Sequence, residues 1–498
     1  MQVWERTSLA LGRNVTLGTL AERLARVHGE RRLVEESGGG LNVTHAQAAK
    51  RVRRWSGGVA AQAQPGEVVV VAAPNGYEQL LLCLAVARAG ALPAPVNAQM
   101  TEDEIGHVVR DSGARLVLHG ASDVDQAEPL SEAVPAAPDD VAALFYTSGT
   151  TGRPKGVELT HQALVGQITR GVVWPTHLRH DEAVVSLPVA HIMGFAVTLS
   201  MACAGIPVYF LASFHPVRVL DAIEERRASI FVGVPAMYRM LLEAGAEQRD
   251  LRSVRVWLSG ADAMPAELAT RFKKMGATAE LPLVGPVGEA LFAEGYGMVE
   301  SGGGVAAKIS PPCLGIGLGE AVGFALPGYR FKVVDGDDRE TLPGAVGELW
   351  VRGPGVTTGY RGDPEATASA LTPDGWLRTG DMARKGPFGL VFFAGRAKDV
   401  IKHGGYSVYA LEVERTLEEH PDVREAAVVG LADATKGEVP AAAVRLRDGK
   451  SLDGLHLDRW AAERLSDYKV PVRFLAVDDL PRTGTRKVQR AKVAELFN

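Results

Sequence analysis

Between residues 141 and 161 the apolar run VAALF gives way to YTSGTTGRPKGVELTH. The run reads as a short buried strand. The loop after it packs Ser148, Thr150, Thr151, Lys155 and the glycines Gly149, Gly152 and Gly156 into nine positions. Such a loop suits a polyphosphate, because glycines let backbone N–H groups approach an anion, hydroxyls donate further hydrogen bonds and a lysine supplies charge. Ser, Thr and Gly also build ordinary surface turns, but their density here favours an anion site. A Walker-type P-loop needs Gly directly before its Lys and Ser or Thr directly after it. Pro154 and Gly156 occupy those places, so the strand and loop belong to a different fold.

The flanking sequence narrows that fold to an α/β class. Thr44 to Gln47 and Thr101 to Glu104 have capping-box spacing, each opening a helix. Residues 67–73 (EVVVVAA) form a β-branched run suited to a strand covered on both faces. A helical stretch over 77–89 and a second apolar run over 91–96 complete a βαβ rhythm. The runs at 230–234 and 254–258 end in Pro235 and in Ser259-Gly260, placing ligand loops at the carboxyl edge of a mostly parallel sheet. Beyond Gly323 shorter strands and turns predict a β-rich subdomain, and the last hundred residues return to mixed α/β. With 498 residues, two or more domains are expected. No Asp, Glu, Lys or Arg occurs over 183–217, but Pro188 and Pro207 break that segment, which reads as buried core and pocket wall, not a membrane span.

A net charge of −5 leaves no basic excess to neutralise nucleic-acid phosphates. Cys83, Cys203 and Cys313 are isolated among apolar neighbours, which fits neither a disulfide framework nor a metal site. Glu5 and Arg6 stand where a signal peptide would be apolar. A cytoplasmic protein is expected.

Further motifs carry chemistry. In Glu294-Gly295-Tyr296-Gly297-Met298-Val299-Glu300-Ser301 a tyrosine ring can stack on a purine, and a carboxylate shortly after it can hold Mg²⁺ against phosphates. Arg378-Thr379-Gly380-Asp381 presents a carboxylate able to accept from two adjacent hydroxyls. Downstream lie GRAKDVIK (395–402), HGGYSV (403–408) and PRTGTRKVQR (481–490).

Together with the 146–161 loop, and in this order, these motifs resemble those of the adenylate-forming superfamily of acyl-CoA synthetases, adenylation domains and beetle luciferases. The resemblance implies a large N-terminal AMP- and acyl-binding domain over 1–396 and a small mobile C-terminal domain over 397–498, hinged near Lys398. It assigns Thr147, Ser148, Gly149, Thr150, Thr151 and Lys155 to the ATP phosphates. Gly260, Ala261, Asp262, Tyr296 and Gly297 join the nucleotide site, Asp381 and Arg396 take the ribose, and Thr150 and Glu300 hold Mg²⁺. Lys487 is the lysine of the adenylation step, whose ammonium stabilises the charge that shifts in the transition state. Val299 replaces the usual Thr of the tyrosine motif, and Arg486 the usual Gly before Lys487.

For a thiol acceptor, Lys402, Gly404 and Gly405 resemble the loop that lines the pantetheine tunnel, so coenzyme A is the expected co-substrate. No carrier domain follows Asn498, which favours a free-standing ligase, with a separate acyl carrier protein as the alternative acceptor. The resemblance leaves room for a homodimer. The acyl pocket is expected around His191, Val234, Ser301, Gly302 and Gly303. Its small residues and the neighbouring Met193 and Phe195 favour a medium- or long-chain fatty acid, with an aryl acid such as benzoate or coumarate as runner-up. Gly295 stands where an Arg would suit malonate. A non-catalytic nucleotide-binding homologue is the competing class, on the strength of Val299 and Arg486.

Overall fold

A computed structural model describes residues 2–12, 15–147, 154–175, 180–281, 283–312, 321–482 and 488–498. They form two compact units: Met1–Arg330 with Val351–Leu377, and Phe331–Trp350 with Arg378–Asn498.

In the first unit the main sheet runs in the order Ala321–Ala325, Gly303–Ser310, Leu291–Met298, Val256–Gly260, Ile230–Gly233, Ala183–Val185, Val208–Phe210, Arg32–Glu36 and Asn42–Thr44. From Arg32–Glu36 to Leu291–Met298 neighbouring strands are parallel, and hairpins add antiparallel strands at both ends. The middle strands are apolar throughout because both faces are covered. On one face Phe231, Trp257 and Phe292 meet Tyr238 and Phe272 in a cluster of tilted and edge-to-face rings. On the other, Val185, Ile230 and Val232 pack in the core that includes Phe195 of the helix Ile192–Ala204.

Two smaller sheets complete this unit. Leu92–Pro95, Val68–Val71 and Leu116–Leu118 are parallel, as the βαβ rhythm predicts. Val141–Tyr146 pairs antiparallel with Gly156–Thr160, which pairs in turn with Gly359–Tyr360. The strands on either side of the glycine-rich loop are therefore paired with each other. Both capping boxes form: the Thr44 hydroxyl accepts from Gln47 N–H at 3.2 Å, and that of Thr101 from Glu104 N–H at 3.3 Å. The uncharged 183–217 segment is a buried strand, the helix Ile192–Ala204 and the strand Val208–Phe210. Among the described residues no helix is long and apolar enough to cross a membrane. Cys83 and Cys203 are buried free thiols, and burial pushes the Cys203 pKa up to about 12. Cys313 lies outside the described residues.

Arg330–Val334, Val346–Arg352, Leu377–Lys385 and Val391–Arg396 are successive neighbours; most of their residues belong to the second unit, while Arg330, Val351, Arg352 and Leu377 belong to the first. A second sheet runs Tyr406–Tyr409, Val400–His403, Gly437–Leu446 and Val423–Asp433, with Arg473–Ala476 beside Gly437–Leu446. The helix Ala410–Glu418 covers it through Val413 and Leu417.

Candidate functional site

The strand Leu291–Met298 carries the tyrosine motif between Val256–Gly260, parallel to it, and Gly303–Ser310, antiparallel. Gly297 is required by packing: a Cβ there would lie 1.8 Å from the Gly303 carbonyl oxygen. The register shifts between Tyr296 and Gly297, a bulge that bends the strand, and pairing continues to Met298. The turn that follows is locked by Ser301. Its buried hydroxyl accepts from Met298 N–H at 3.1 Å and lies 2.8 Å from the Gly303 carbonyl. Gly302 then takes a φ of 67°, a left-handed conformation that favours glycine. Glu300 leaves this turn half-buried, and its carbonyl accepts from Thr357 N–H at 2.8 Å.

Opposite it stands the end of the glycine-rich loop. Thr147 and Lys155 close the loop base: Thr147 N–H donates to the Lys155 carbonyl at 3.1 Å, and Lys155 N–H to Thr147 Oγ1 at 3.3 Å. The Lys155 ammonium pairs with Asp363 at 2.9 Å and lies 5.6 Å from the ring centroid of Tyr360. The Tyr360 hydroxyl in turn donates to Glu300 Oε1 at 3.0 Å. Burial, and then the Glu300 charge, raise the Tyr360 pKa, so the phenol stays protonated and remains a donor. One aromatic side chain thus touches both the expected phosphate lysine and the expected metal carboxylate.

Sequence reasoning missed Tyr360 and Asp363. Asp363-Pro364 is a legible helix start, and Asp363 Oδ1 does cap the helix Pro364–Ala370 by accepting from Ala366 N–H at 2.9 Å. Nothing local shows that Tyr360 reaches Glu300, since the pairing of Gly359–Tyr360 with Gly156–Thr160 brings them together.

The residues expected around the acid lie on the same unit. Gly303 faces the helix Ile192–Ala204, and a Cβ on it would lie 3.6 Å from Ala196 Cβ and 3.9 Å from Ile192 Cγ1. Gly260 pairs with Gly295 across adjacent strands, and a Cβ on Gly260 would sit 3.3 Å from Met193 Cε. Met193 therefore occupies the space beside Gly260. His191 is the N-cap of that helix, its Nδ1 accepting from Met193 N–H at 3.3 Å. Val234 precedes the helix Pro235–Glu243 as its N-cap. Ala261 has a φ of 67° and Asp262 is exposed, its carboxylate accepting from Ala263 N–H.

In the second unit, strand register sets Asp381 opposite Arg396, with Arg396 Nε 3.1 Å from Asp381 Oδ1. The turn before Asp381 is fixed by Thr379 Oγ1 donating to the Leu349 carbonyl at 2.6 Å and Gly380 N–H donating to Glu348 at 2.9 Å. Lys398 has its pKa lowered by burial, an effect that Asp399 opposes and Arg396 and Arg490 reinforce. Gly404 and Gly405 form the two-residue turn of the hairpin between Val400–His403 and Tyr406–Tyr409, with φ of 57° and 86°, as such a tight connection requires. Lys402 Nζ donates to Ser407 Oγ at 3.0 Å.

Ser148, Gly149, Thr150, Thr151 and Lys487 lie outside the described residues. Among the described residues nearest to Lys487 in sequence, Arg482 bridges to Val488 and pairs with Glu425 at 2.6 Å, and Arg490 pairs with Asp399 and Glu414. Among the described residues no cluster of three or more His, Cys, Asp or Glu forms a metal site. A single fixed carboxylate such as Glu300 still fits Mg²⁺, which commonly binds one or two carboxylates together with substrate phosphates.

The chain has recognisable relatives. The profile of the AMP-binding enzyme family matches residues 21–136 and 121–361, and that of the AMP-binding enzyme C-terminal domain matches residues 412–487. The chain is 35% identical over 515 residues to the feruloyl-CoA synthase of an Amycolatopsis species, covering 97% of this chain and 100% of that protein. It is 31% identical over 497 residues to the fatty acid–[acyl-carrier-protein] ligase ScoC of Streptomyces coeruleorubidus, covering 92% of each. ATP-bound MatB from Rhodopseudomonas palustris is similar in structure, with a TM-score of 0.85 and 28% identity over 97% of this chain and 99% of that one.

Proposed function

From the premise that the chain belongs to the AMP-binding, adenylate-forming enzymes and is an AMP-forming acid–thiol ligase, we propose that it joins an apolar carboxylic acid to coenzyme A at the expense of ATP. The observation that carries this reading is the Lys155–Tyr360–Glu300 arrangement beside the tyrosine motif. It sets a cation for phosphates and an oriented carboxylate for a metal at either side of one ring.

In the first half-reaction the substrate carboxylate attacks the α-phosphorus of ATP, and pyrophosphate leaves. Lys155 exchanges Asp363 for phosphate oxygens, and Lys487 stabilises the charge gathering on the reacting phosphoryl group. Mg²⁺ at Glu300 and Thr150 would neutralise charge between the phosphates. Tyr360 holds Glu300 in one orientation, Tyr296 stacks on the purine, and Asp381 with Arg396 takes the ribose. In the second half-reaction the C-terminal domain turns about Lys398. The coenzyme A thiolate, guided past Gly404 and Gly405, adds to the acyl carbonyl and AMP departs.

Met193, Ile192 and Ala196 around Gly260 and Gly303 present an apolar wall without a charged side chain, which supports an uncharged acyl group. An aryl acid of the ferulate or coumarate kind is the first reading. It is favoured by the feruloyl-CoA synthase relative, which matches over its full length, and by the Met193 thioether, which makes favourable contacts with aromatic rings. The medium- or long-chain fatty acid expected from the sequence is the second, favoured by the ScoC relative, whose acceptor is a carrier protein. The test is pyrophosphate release from ATP and Mg²⁺ with ferulate, coumarate, benzoate, octanoate, palmitate, acetate and malonate, each with and without coenzyme A. Turnover on an aryl acid, yielding its thioester, is expected. Pyrophosphate release without thioester would move the acceptor to a carrier protein, and ATP binding without release on any acid would refute the enzymatic reading.

A further inference from the structure

We propose that a second anion site lies next to the first, in a cavity of about 520 Å³ lined by Arg330, Arg352, Thr357, Leu371 and Thr372, and that it takes a phosphorylated nucleotide moiety. The lining contains two guanidinium groups and no carboxylate. Among the described residues neither arginine has an ion-pair partner. Both side chains are exposed, and their placement brings two like charges together. Arg330 opens the strand Arg330–Val334 and Arg352 closes its neighbour Val346–Arg352. A Cβ on Gly347 would lie 2.1 Å from the Val334 carbonyl oxygen, so the end of one strand faces the start of the other and the two arginines share the remaining end. Like charges set across adjacent strands repel. Another basic residue of these strands is compensated, since Lys332 Nζ lies 4.3 Å from the centroid of the Trp350 ring. The Arg330 and Arg352 charges face open space instead.

Arginine pairs of this kind match phosphate, whose oxygens accept the parallel N–H bonds of a guanidinium fork. The floor suits close approach: Gly328 and Gly375 have φ of 91° and 82°, and a Cβ on Gly375 would lie 3.9 Å from Arg352 Nε. The hydroxyls are already engaged. Thr372 Oγ1 donates to Asp374 Oδ1 at 2.7 Å, placing a carboxylate near the rim, and Thr357 Oγ1 lies 2.6 Å from the Glu158 carbonyl. Recognition therefore rests on the two arginines and selects charge. The volume lies within the range of small-molecule sites, roughly 300–1,000 Å³. Thr357 also connects the cavity to the first site, because its N–H donates to the Glu300 carbonyl.

Two sources share this chemistry: the phosphoadenosine end of coenzyme A, which rests on the acid–CoA ligase reading, and a free nucleotide acting as an effector. Adenosine 3′,5′-bisphosphate is the probe, titrated calorimetrically into the full chain, its R330Q/R352Q variant and, as a charge-preserving control, R330K/R352K. Binding to wild type is expected to weaken about tenfold for each guanidinium lost, the scale of a charge-assisted hydrogen bond, while the lysine variant keeps part of it. If the KM for coenzyme A rises by the same factor with acid-dependent pyrophosphate exchange unchanged, the ligand is the co-substrate. If that KM stays constant while bisphosphate binding is lost, it is a free nucleotide. Equal affinity in wild type and R330Q/R352Q, or no binding to wild type, overturns the site. Absence of pyrophosphate exchange in wild type would defeat the ligase reading alone and leave the binding comparison intact.

Discussion

Replacing Tyr360 by Phe removes a single atom from the proposed site, the hydroxyl that donates to Glu300 at 3.0 Å, and leaves the ring beside Lys155 in place. A hydrogen bond to a charged acceptor contributes about 1.5–3 kcal/mol, or roughly ten- to hundredfold in an equilibrium constant. Two effects of its loss oppose each other. Without the donor the carboxylate has one more lone pair free for the metal, which favours metal binding, but it also loses its fixed orientation. Removing a partner of a metal-binding carboxylate typically costs about 10–100-fold in metal affinity, so orientation wins. The Mg²⁺ concentration for half-maximal pyrophosphate release should therefore rise about tenfold in Tyr360→Phe, the lower end of that range, with little change in the KM for ATP at saturating Mg²⁺. Because the phenol pKa is raised, the difference from wild type should stay level from neutral pH up to pH 10. An unchanged or lower Mg²⁺ requirement would refute the assignment of Tyr360 as the residue that orients Glu300.

Lys487→Ala should slow adenylation by about two to three orders of magnitude, the scale for one transition-state contact, and spare thioester formation from a presynthesised acyl-adenylate; equal loss in both steps would remove Lys487 from the first. Gly297→Ala forces a methyl group to within 1.8 Å of a backbone oxygen. It should destabilise the fold by about 3 kcal/mol or more, the upper range for overpacking, read as a lower urea midpoint; a midpoint within error of wild type would contradict that close approach. His161 is buried, and its Nδ1 accepts from Leu17 N–H at 3.0 Å. Burial lowers its pKa to about 4, from 6.5 when unfolded. The neutral imidazole thus contributes stability that is present above pH 6.5 and is lost as pH falls toward 4, on the order of 3 kcal/mol in all. His161→Asn, which keeps an acceptor, should flatten that part of the urea-midpoint profile, and an unchanged slope would show that other groups set it.

What was legible in the sequence was what is local. Thr44 with Gln47 and Thr101 with Glu104 announce their helices because capping chemistry spans three residues. A paired Gly404-Gly405 is local in the same way, since two adjacent glycines suit the tight turn they form. Asp381 and Arg396 could be read as separate motifs, and strand register then joined them into one pair. The Tyr360–Glu300 bond was hidden because it links positions sixty residues apart through a two-residue strand that hydrophobic pattern cannot detect. Arg330 and Arg352 belong to no local motif, and only the adjacency of their strands sets them at one end. Grouping of Phe331–Trp350 with the C-terminal residues likewise depends on packing between distant segments.

The strand Leu291–Met298 and its Ser301 turn carry Tyr296, Gly297 and Glu300, while the side chains beside Gly260 and Gly303 come from the separate helix Ile192–Ala204. In evolutionary terms this separates what must be inherited unchanged from what is free to diverge. A descendant that exchanges Ile192, Met193 or Ala196 alters the wall of the cleft without disturbing the strand crossing at Gly297. On the proposed assignment of these residues, acid preference can then drift among paralogues by single side-chain steps on one helix, each intermediate keeping its nucleotide machinery and so remaining visible to selection.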